Sequence, residues 1–279
     1  MTRVPAARAL LTAALAVLAV SAPAEAQYRP IPARAAGPDA GPFGGWYRIE
    51  FAANTWNPVP EFTVSSESLG IKGTDIDVRA DLDIPQERKT ELRLTLRASK
   101  RNKLRFHYLP LAYKGTTNLK ADIIFNGIRY PANTSVDSSL EWKTYRVGYE
   151  LDIISRTQGF LGFVVEAKYT DASFTLTSPA GTEYARARAP IPALGAIARV
   201  HITRYGSVTG EFTGFKIPES IDEDYRGHYY DWDVYGTLNF TRNFGAQIGY
   251  RSLDIGYLAR QDRGDAKLSG LYFGGVVRF

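Results

Sequence analysis

Three histidines, His107, His201 and His228, are the first candidates for chemistry. His201 and Thr203 lie two residues apart, so in an extended chain the imidazole and the hydroxyl share one face. A base beside a hydroxyl is the beginning of an activated nucleophile, and an outer-membrane lipid-modifying enzyme would present such a pair to the lipid. Here the same face carries Arg199, and threonine replaces the usual serine, so no catalytic residue is assigned. Asp231 and Asp233 also share a face, and Asp222, Glu223 and Asp224 precede them. Clustered carboxylates suit a hard cation such as calcium, but a solvated acidic loop accounts for the same run. The 279 residues contain no glycine-rich phosphate loop, nucleotide fingerprint or zinc spacing, so neither cofactor nor metal is expected.

What recurs instead is charge at every second position. Asp77, Arg79 and Asp81 form one such series; Glu91, Arg93 and Arg97, then Arg105 and His107, form the next two. Arg146, Glu150 and Asp152 follow, then Glu166 and Lys168, Arg199 and His201, Glu211, Asp231 and Asp233, Arg251, and Asp254. Each series alternates with apolar residues, as with Leu104, Phe106 and Tyr108, or Tyr145, Val147, Tyr149, Leu151 and Ile153. A period of two makes strands with one ionic and one apolar face. Counting from Ile76–Leu82 to Leu271–Phe279 gives ten strands. Two short runs between Trp46 and Glu67 would raise the count to twelve if they joined the sheet. The apolar set changes parity near Ser252, from Ala246, Ile248 and Tyr250 to Leu253, Ile255 and Tyr257, which predicts a β-bulge there.

Connections alternate in length. Ser99–Asn102, Ser155–Gln158, Tyr205–Ser207 and Thr241–Asn243 read as tight turns. Ile84–Lys89, Lys114–Ser139, Ser178–Pro190, Pro218–His228 and Arg260–Asp265 read as longer loops. Short turns at one end and long loops at the other are the sidedness of an up-and-down barrel in the bacterial outer membrane.

The termini point the same way. Residues 1–26 have a basic start, an apolar run from Ala9 to Ala22, and Ala24-Glu25-Ala26 as a cleavage pattern, so a signal peptide cleaved near Ala26 is expected. Residues 27–45, rich in Pro, Ala and Gly, read as a flexible periplasmic lead-in, leaving 46–279 for the barrel. No later apolar stretch is long enough for a membrane helix, so a membrane role requires strands. The chain has no cysteine and therefore no disulfide staples. A net charge of +5, with acids and bases interspersed, gives no basic stripe for nucleic acid. The chain ends on Phe279, with Phe273 and Val277 on the same face, which looks like the C-terminal signal read by the barrel-assembly machinery.

Several segments resemble a family of uncharacterised proteobacterial outer-membrane β-barrel proteins. They are Gly73-Thr74-Asp75-Ile76-Asp77, Asn102-Lys103-Leu104-Arg105-Phe106, Asp122-Ile123-Ile124-Phe125-Asn126-Gly127 and Val147-Gly148-Tyr149. Gly249-Tyr250-Arg251-Ser252-Leu253-Asp254 and Gly270-Leu271-Tyr272-Phe273-Gly274 complete the set. The resemblance implies a fold and a location, and no activity.

The expectation is therefore an all-β transmembrane antiparallel barrel of about ten strands, with the charged series enclosed as a lumen network. Ten strands leave little more room than the side chains fill. A closed lumen with a structural or unassigned role follows, with a narrow channel for ions or small polar solutes and a lipid-modifying enzyme as alternatives. Outer-membrane lipids and lipopolysaccharide are the expected partners, the latter at the long loops.

Overall fold

A computed structural model of the chain describes residues 41–65, 73–179, 181–217, 225–259 and 262–279. Residues 41–279 form one compact unit. The expected signal peptide, and residues 27–40 of the expected lead-in, lie outside the described residues.

The alternating segments form a closed antiparallel wall. In order around it stand β1 (Ile49–Trp56), β4 (Lys89–Arg97), β5 (Asn102–Asn118), β8 (Ser135–Arg156), β9 (Gly159–Ser178) and β10 (Gly181–His201). The wall continues through β11 (Gly206–Ile217), β12 (Tyr225–Asn239), β13 (Phe244–Ala259) and β14 (Asp262–Arg278), which pairs back onto β1. Closure leaves the wall's ladder without a terminal edge strand, which a sheet in hydrocarbon requires.

The wall has ten strands, but its membership differs from the sequence expectation. The two runs between Trp46 and Glu67 do join it. They lie end to end along the same side of β14 and so count once: β1 pairs with Tyr272–Arg278, and β2 (Val59–Ser65) with Arg263–Ser269. The break at Asn57–Pro58 stays anchored, because Asn57 N donates to Leu271 O at 3.0 Å. Opposite it, a Cβ on Gly270 would lie 2.3 Å from the Asn57 carbonyl oxygen, so only glycine admits the kink.

Ile76–Leu82 is not a wall strand. Only β3 (Ile76–Asp77) pairs, with β2. The Asp77 carboxylate accepts from Arg79 N at 2.9 Å and Ala80 N at 3.0 Å, closing a turn that competes with a ladder. Ile76, Val78, Leu82 and Ile84 then plug the upper interior as buried side chains.

The long connections are also partly strand. β9 and β10 run to Ser178 and from Gly181, so the loop expected at Ser178–Pro190 is a tall hairpin. Likewise β13 reaches Ala259 and β14 starts at Asp262. Between β5 and β8 sits a small hairpin, β6 (Ile123–Phe125) and β7 (Ile128–Tyr130). Its turn is Asn126-Gly127, both at positive φ (49° and 83°), the sequence a two-residue hairpin prefers.

The bulge expected near Ser252 is absent. Asp233↔Arg251, Trp232↔Ser252 and Asp231↔Leu253 pair in unbroken register. The wall's register shift falls at Asp152/Ile154. At Ser252 it is the environment that changes. Arg251, Leu253 and Ile255 all point inward, and only their character switches, from ionic to apolar.

That switch recurs around the wall and organises the molecule. Along β5 the inward residues run Lys103, Arg105, His107, Leu109, Leu111, Tyr113, while the outward ones run Leu104, Phe106, Tyr108, Pro110, Ala112, Lys114. Along β8, read downward, Val136, Leu140 and Trp142 give way inside to Arg146, Glu150 and Asp152. Outside, Asp137, Glu141 and Lys143 give way to Tyr145, Val147, Tyr149, Leu151 and Ile153. In the lower half greasy side chains face out and ions face in; in the upper half the order is that of a water-soluble protein. Tyr108, Tyr145 and Tyr169, paired across adjacent strands, mark the boundary, with Tyr108 and Tyr145 stacked 5.0 Å apart. The apolar run Tyr145–Ile153 covers about nine residues, which at ~3.4 Å each and a tilt of about 40° rise roughly 23 Å, close to the height of an outer-membrane apolar band.

Candidate functional site

The lower lumen is filled by one continuous ion-pair network built from seven wall strands. Arg93 on β4 joins Asp233 at 2.6 Å and Glu91 at 2.7 Å. Glu91 meets Arg251, which holds Asp231 at 2.8 Å. Asp231 passes to Arg146 at 2.8 Å, and Arg146 reaches both Glu166 (2.9 Å) and Glu211 (3.3 Å). Lys168 bonds Glu166 at 2.9 Å. Glu211 meets Arg105 at 2.5 Å; Arg105 lies 3.5 Å from Glu150, and Glu150 and Asp152 share Lys103 at 2.5 and 2.9 Å. Lower still, Glu50 takes Arg278 at 2.5 Å and Arg199 at 3.8 Å. The acids and bases named here balance in number. Every one is nearly or wholly buried, and buried charge of this density persists only when paired and hydrogen-bonded.

Neutral groups complete the packing. Tyr272 donates to Asp233 at 2.8 Å, Lys168 to Thr213 at 2.9 Å and Arg199 to Thr209 at 2.9 Å. Gly249 faces inward, where a Cβ would lie 2.6 Å from both the Tyr235 Cβ and the Tyr272 ring, so its missing side chain is the room those rings occupy.

The network is covered at both ends. Above it an apolar cluster joins Trp56, Leu109, Tyr113, Leu140, Trp142, Phe174, Leu253 and Leu268 of the wall to Ile76, Val78, Leu82 and Ile84 of the plug and to Ile123, Phe125 and Tyr130 of the β6–β7 hairpin. The hairpin is tethered by Asn126, which donates to Glu183 at 2.7 Å. Beside it the Arg129 guanidinium binds Asp122 and holds that carboxyl below its usual range. Below the network, Gly41–Tyr47 lie across the mouth that carries the short turns, where hydrogen bonds and ring contacts tie them to the wall. Phe43 N donates to Arg204 O at 2.8 Å, its ring meets Tyr205 edge-on at 5.0 Å, and Asn239 donates to its carbonyl at 3.0 Å.

The sequence-derived set divides by position. Arg93, Arg105, Arg146, Glu150, Glu166, Lys168, Glu211, Asp231, Asp233 and Arg251 meet in the network, and Arg199 in the lower cluster. His107 is buried between Arg93 and Arg146, its Nδ1 without a protein partner. Arg97 lies at the mouth that carries the short turns, its guanidinium 4.5 Å from the centre of the Tyr47 ring. His201 is half-buried at the same rim. Asp77 and Arg79 are not in the lumen: they are exposed, on a cleft of about 780 Å³ between β2 and the plug segment. Asp254 is also outside, 3.1 Å from His228. These three were misplaced for one reason. Above the tyrosine row the polar face is the outer one, so the membrane rule that polar residues face the lumen gives the wrong side although the parity is unchanged.

Lys103, Glu50 and Arg278 are the members of the site that sequence reasoning missed. Lys103 shares the parity of Arg105 and Arg278 that of Val276, so alternation could have found both; Glu50 was hidden by the doubt over β1. His201 Nδ1 has no hydrogen-bond partner, so it makes no bond to Thr203. Thr203 Oγ1 accepts from Tyr205 N at 3.2 Å and Gly206 N at 2.9 Å, so its oxygen helps close the short turn. Among the described residues there is no group of three or more His, Asp or Glu placed to hold a metal ion. The assembly-signal residues Phe273 and Phe279 point outward, 56% and 68% exposed, with Val277 on the same face.

No protein-family model matches the chain, and no curated protein matches its sequence. Solved structures do match its fold. The outer-membrane protease OmpT from Escherichia coli is similar at 10% identity over 83% of this chain and 96% of that one, with a TM-score of 0.55. The translocator domain of the autotransporter NalP from Neisseria meningitidis matches at 8% identity over 84% of this chain and 89% of that one, TM-score 0.40. Omp33 from Acinetobacter baumannii matches at 9% over 85% of this chain and 100% of that one, TM-score 0.27. The likeness to OmpT gives the chain the fold of an outer-membrane β-barrel. At such identities the likeness extends to fold alone.

Proposed function

We propose that this protein is an integral outer-membrane barrel with a sealed lumen, serving the membrane as a structural element and not as a pore. The observation that carries this reading is the unbroken chain of ion pairs from Asp233 to Asp152 across the lumen. A conducting pore needs a water-filled path through such a layer; here each charge is held by its neighbours and both ends are covered by packed side chains. The outward band of Phe51, Phe106, Val147, Phe163, Trp232, Val234 and Phe273 supports a lipid environment. The signal peptide would deliver the chain to the periplasm, and the outward Phe279 face of β14 would be the strand offered to the assembly machinery.

Purified folded protein in planar bilayers tests the closed reading. A silent membrane at moderate voltages is the expected result, and stepwise openings would transfer support to the narrow channel. Deleting Phe279 is expected to reduce the heat-modifiable, outer-membrane-associated fraction severalfold while leaving synthesis unchanged.

A further inference from the structure

Immediately above the tyrosine row, the outer face of three neighbouring strands changes from rings to ions. Tyr145, Tyr169 and Pro190 pair across β8, β9 and β10; one step up, Lys143, Asp171 and Arg188 pair in the same way, and Arg186 stands opposite Ser173. Asp171 binds both arginines. Arg186 reaches it through Nε at 2.9 Å and Nη2 at 2.6 Å, and Arg188 through Nε at 3.2 Å. One carboxylate therefore orients two guanidiniums and neutralises one. Both arginine side chains remain about half exposed. The Arg188 terminal nitrogens and Arg186 Nη1 make no bond to Asp171 in this arrangement.

We propose that Arg186 and Arg188, held by Asp171 and flanked by Lys143, form a clamp for the phosphate of an anionic lipid in the outer leaflet. Guanidinium forks match phosphate oxygens in shape and charge, and orienting them in advance lowers the entropy lost on binding. Position selects the lipid over free phosphate. The tyrosine row fixes where hydrocarbon ends, and a lipid anchored below that line carries its phosphate to the row directly above it. Lys143 is partly balanced by Glu141 at 3.3 Å, so the excess positive charge gathers at the arginines. The clamp rests on the outer-membrane barrel proposed above, oriented with its short turns toward the periplasm.

The test uses folded full-length protein in neutral detergent and a bisphosphorylated glycolipid of the lipid A type. Arg186→Gln with Arg188→Gln is expected to weaken binding at least about tenfold. The charge-matched control Arg263→Gln with Lys267→Gln, on the outer face of β14, is expected to bind as the parent does. The dephosphorylated glycolipid should bind the parent no better than it binds the double arginine variant. The clamp is overturned if the arginine variant binds like the parent, if the control loses as much, or if inorganic phosphate at equal concentration displaces the glycolipid. Heat-modifiable migration of both variants keeps the outcomes separate: a variant that folds as a barrel yet binds normally refutes the clamp and leaves the membrane orientation standing.

Discussion

The lower and upper halves of this barrel solve burial in opposite ways. Below the tyrosine row, Arg146 sits among Glu166, Glu211 and Asp231, while Val147 beside it faces outward. Above the row, Trp142 packs inside against Phe62 at 6.0 Å between ring centres, while Lys143 beside it is exposed. The strand and its parity are the same, and only the solvent outside differs. Lipid accepts no unpaired charge, so charge goes inside and must be matched; water accepts charge, so the apolar face returns to the interior. A single continuous strand can carry both patterns because its geometry fixes which face a residue takes and leaves its polarity free.

The comparison can be broken most forcefully in the lower half. Arg146→Met would leave carboxylates on three strands short of their shared cation, a loss of about 3–5 kcal/mol; denaturant unfolding of the barrel in detergent or lipid measures it. Trp142→Ala, four residues up the same face, removes apolar packing at a cost of about 3–5 kcal/mol without leaving any charge unpaired. No loss of stability in Arg146→Met would mean that the lower half is not held by its ion pairs. On the outer face the asymmetry should be sharper. Val165→Arg, outward on β9 four residues below the row, is expected to cost about 2–4 kcal/mol near the bilayer midplane. Ser173→Arg, outward on β9 above the row, should change stability by less than about 0.5 kcal/mol. A comparable penalty at both positions would place Ser173 in lipid.

The wall strands were legible because strict alternation over Tyr145–Ile153 or Leu161–Tyr169 has no other reading. The lumen charges below the row followed from it by parity alone. What could not be read was where the membrane stops. At Ser252 the change of inward character, from Arg251 to Leu253, mimics the parity slip of a bulge, although the register never shifts. Ile76–Leu82 alternates like a strand, but the Asp77 turn and the apolar upper interior make it a plug. In Tyr184–Arg188 alternation is present with alanine as its apolar partner, too weak a signal to distinguish a tall hairpin from a loop. Pairwise ion contacts also lay out of reach: Arg251 and Glu91 meet across 160 residues of sequence.

The orientation of the two outer faces is the claim on which the rest depends, and the absence of cysteine permits a clean probe. Val147→Cys and Ser139→Cys place single thiols outward on β8, below and above the row. Each is labelled with an environment-sensitive fluorophore in the reconstituted barrel. The account predicts that brominated acyl chains quench the label at 147 strongly and the label at 139 little, while aqueous iodide does the reverse. Iodide quenching at 147 with no effect of brominated lipid would contradict it.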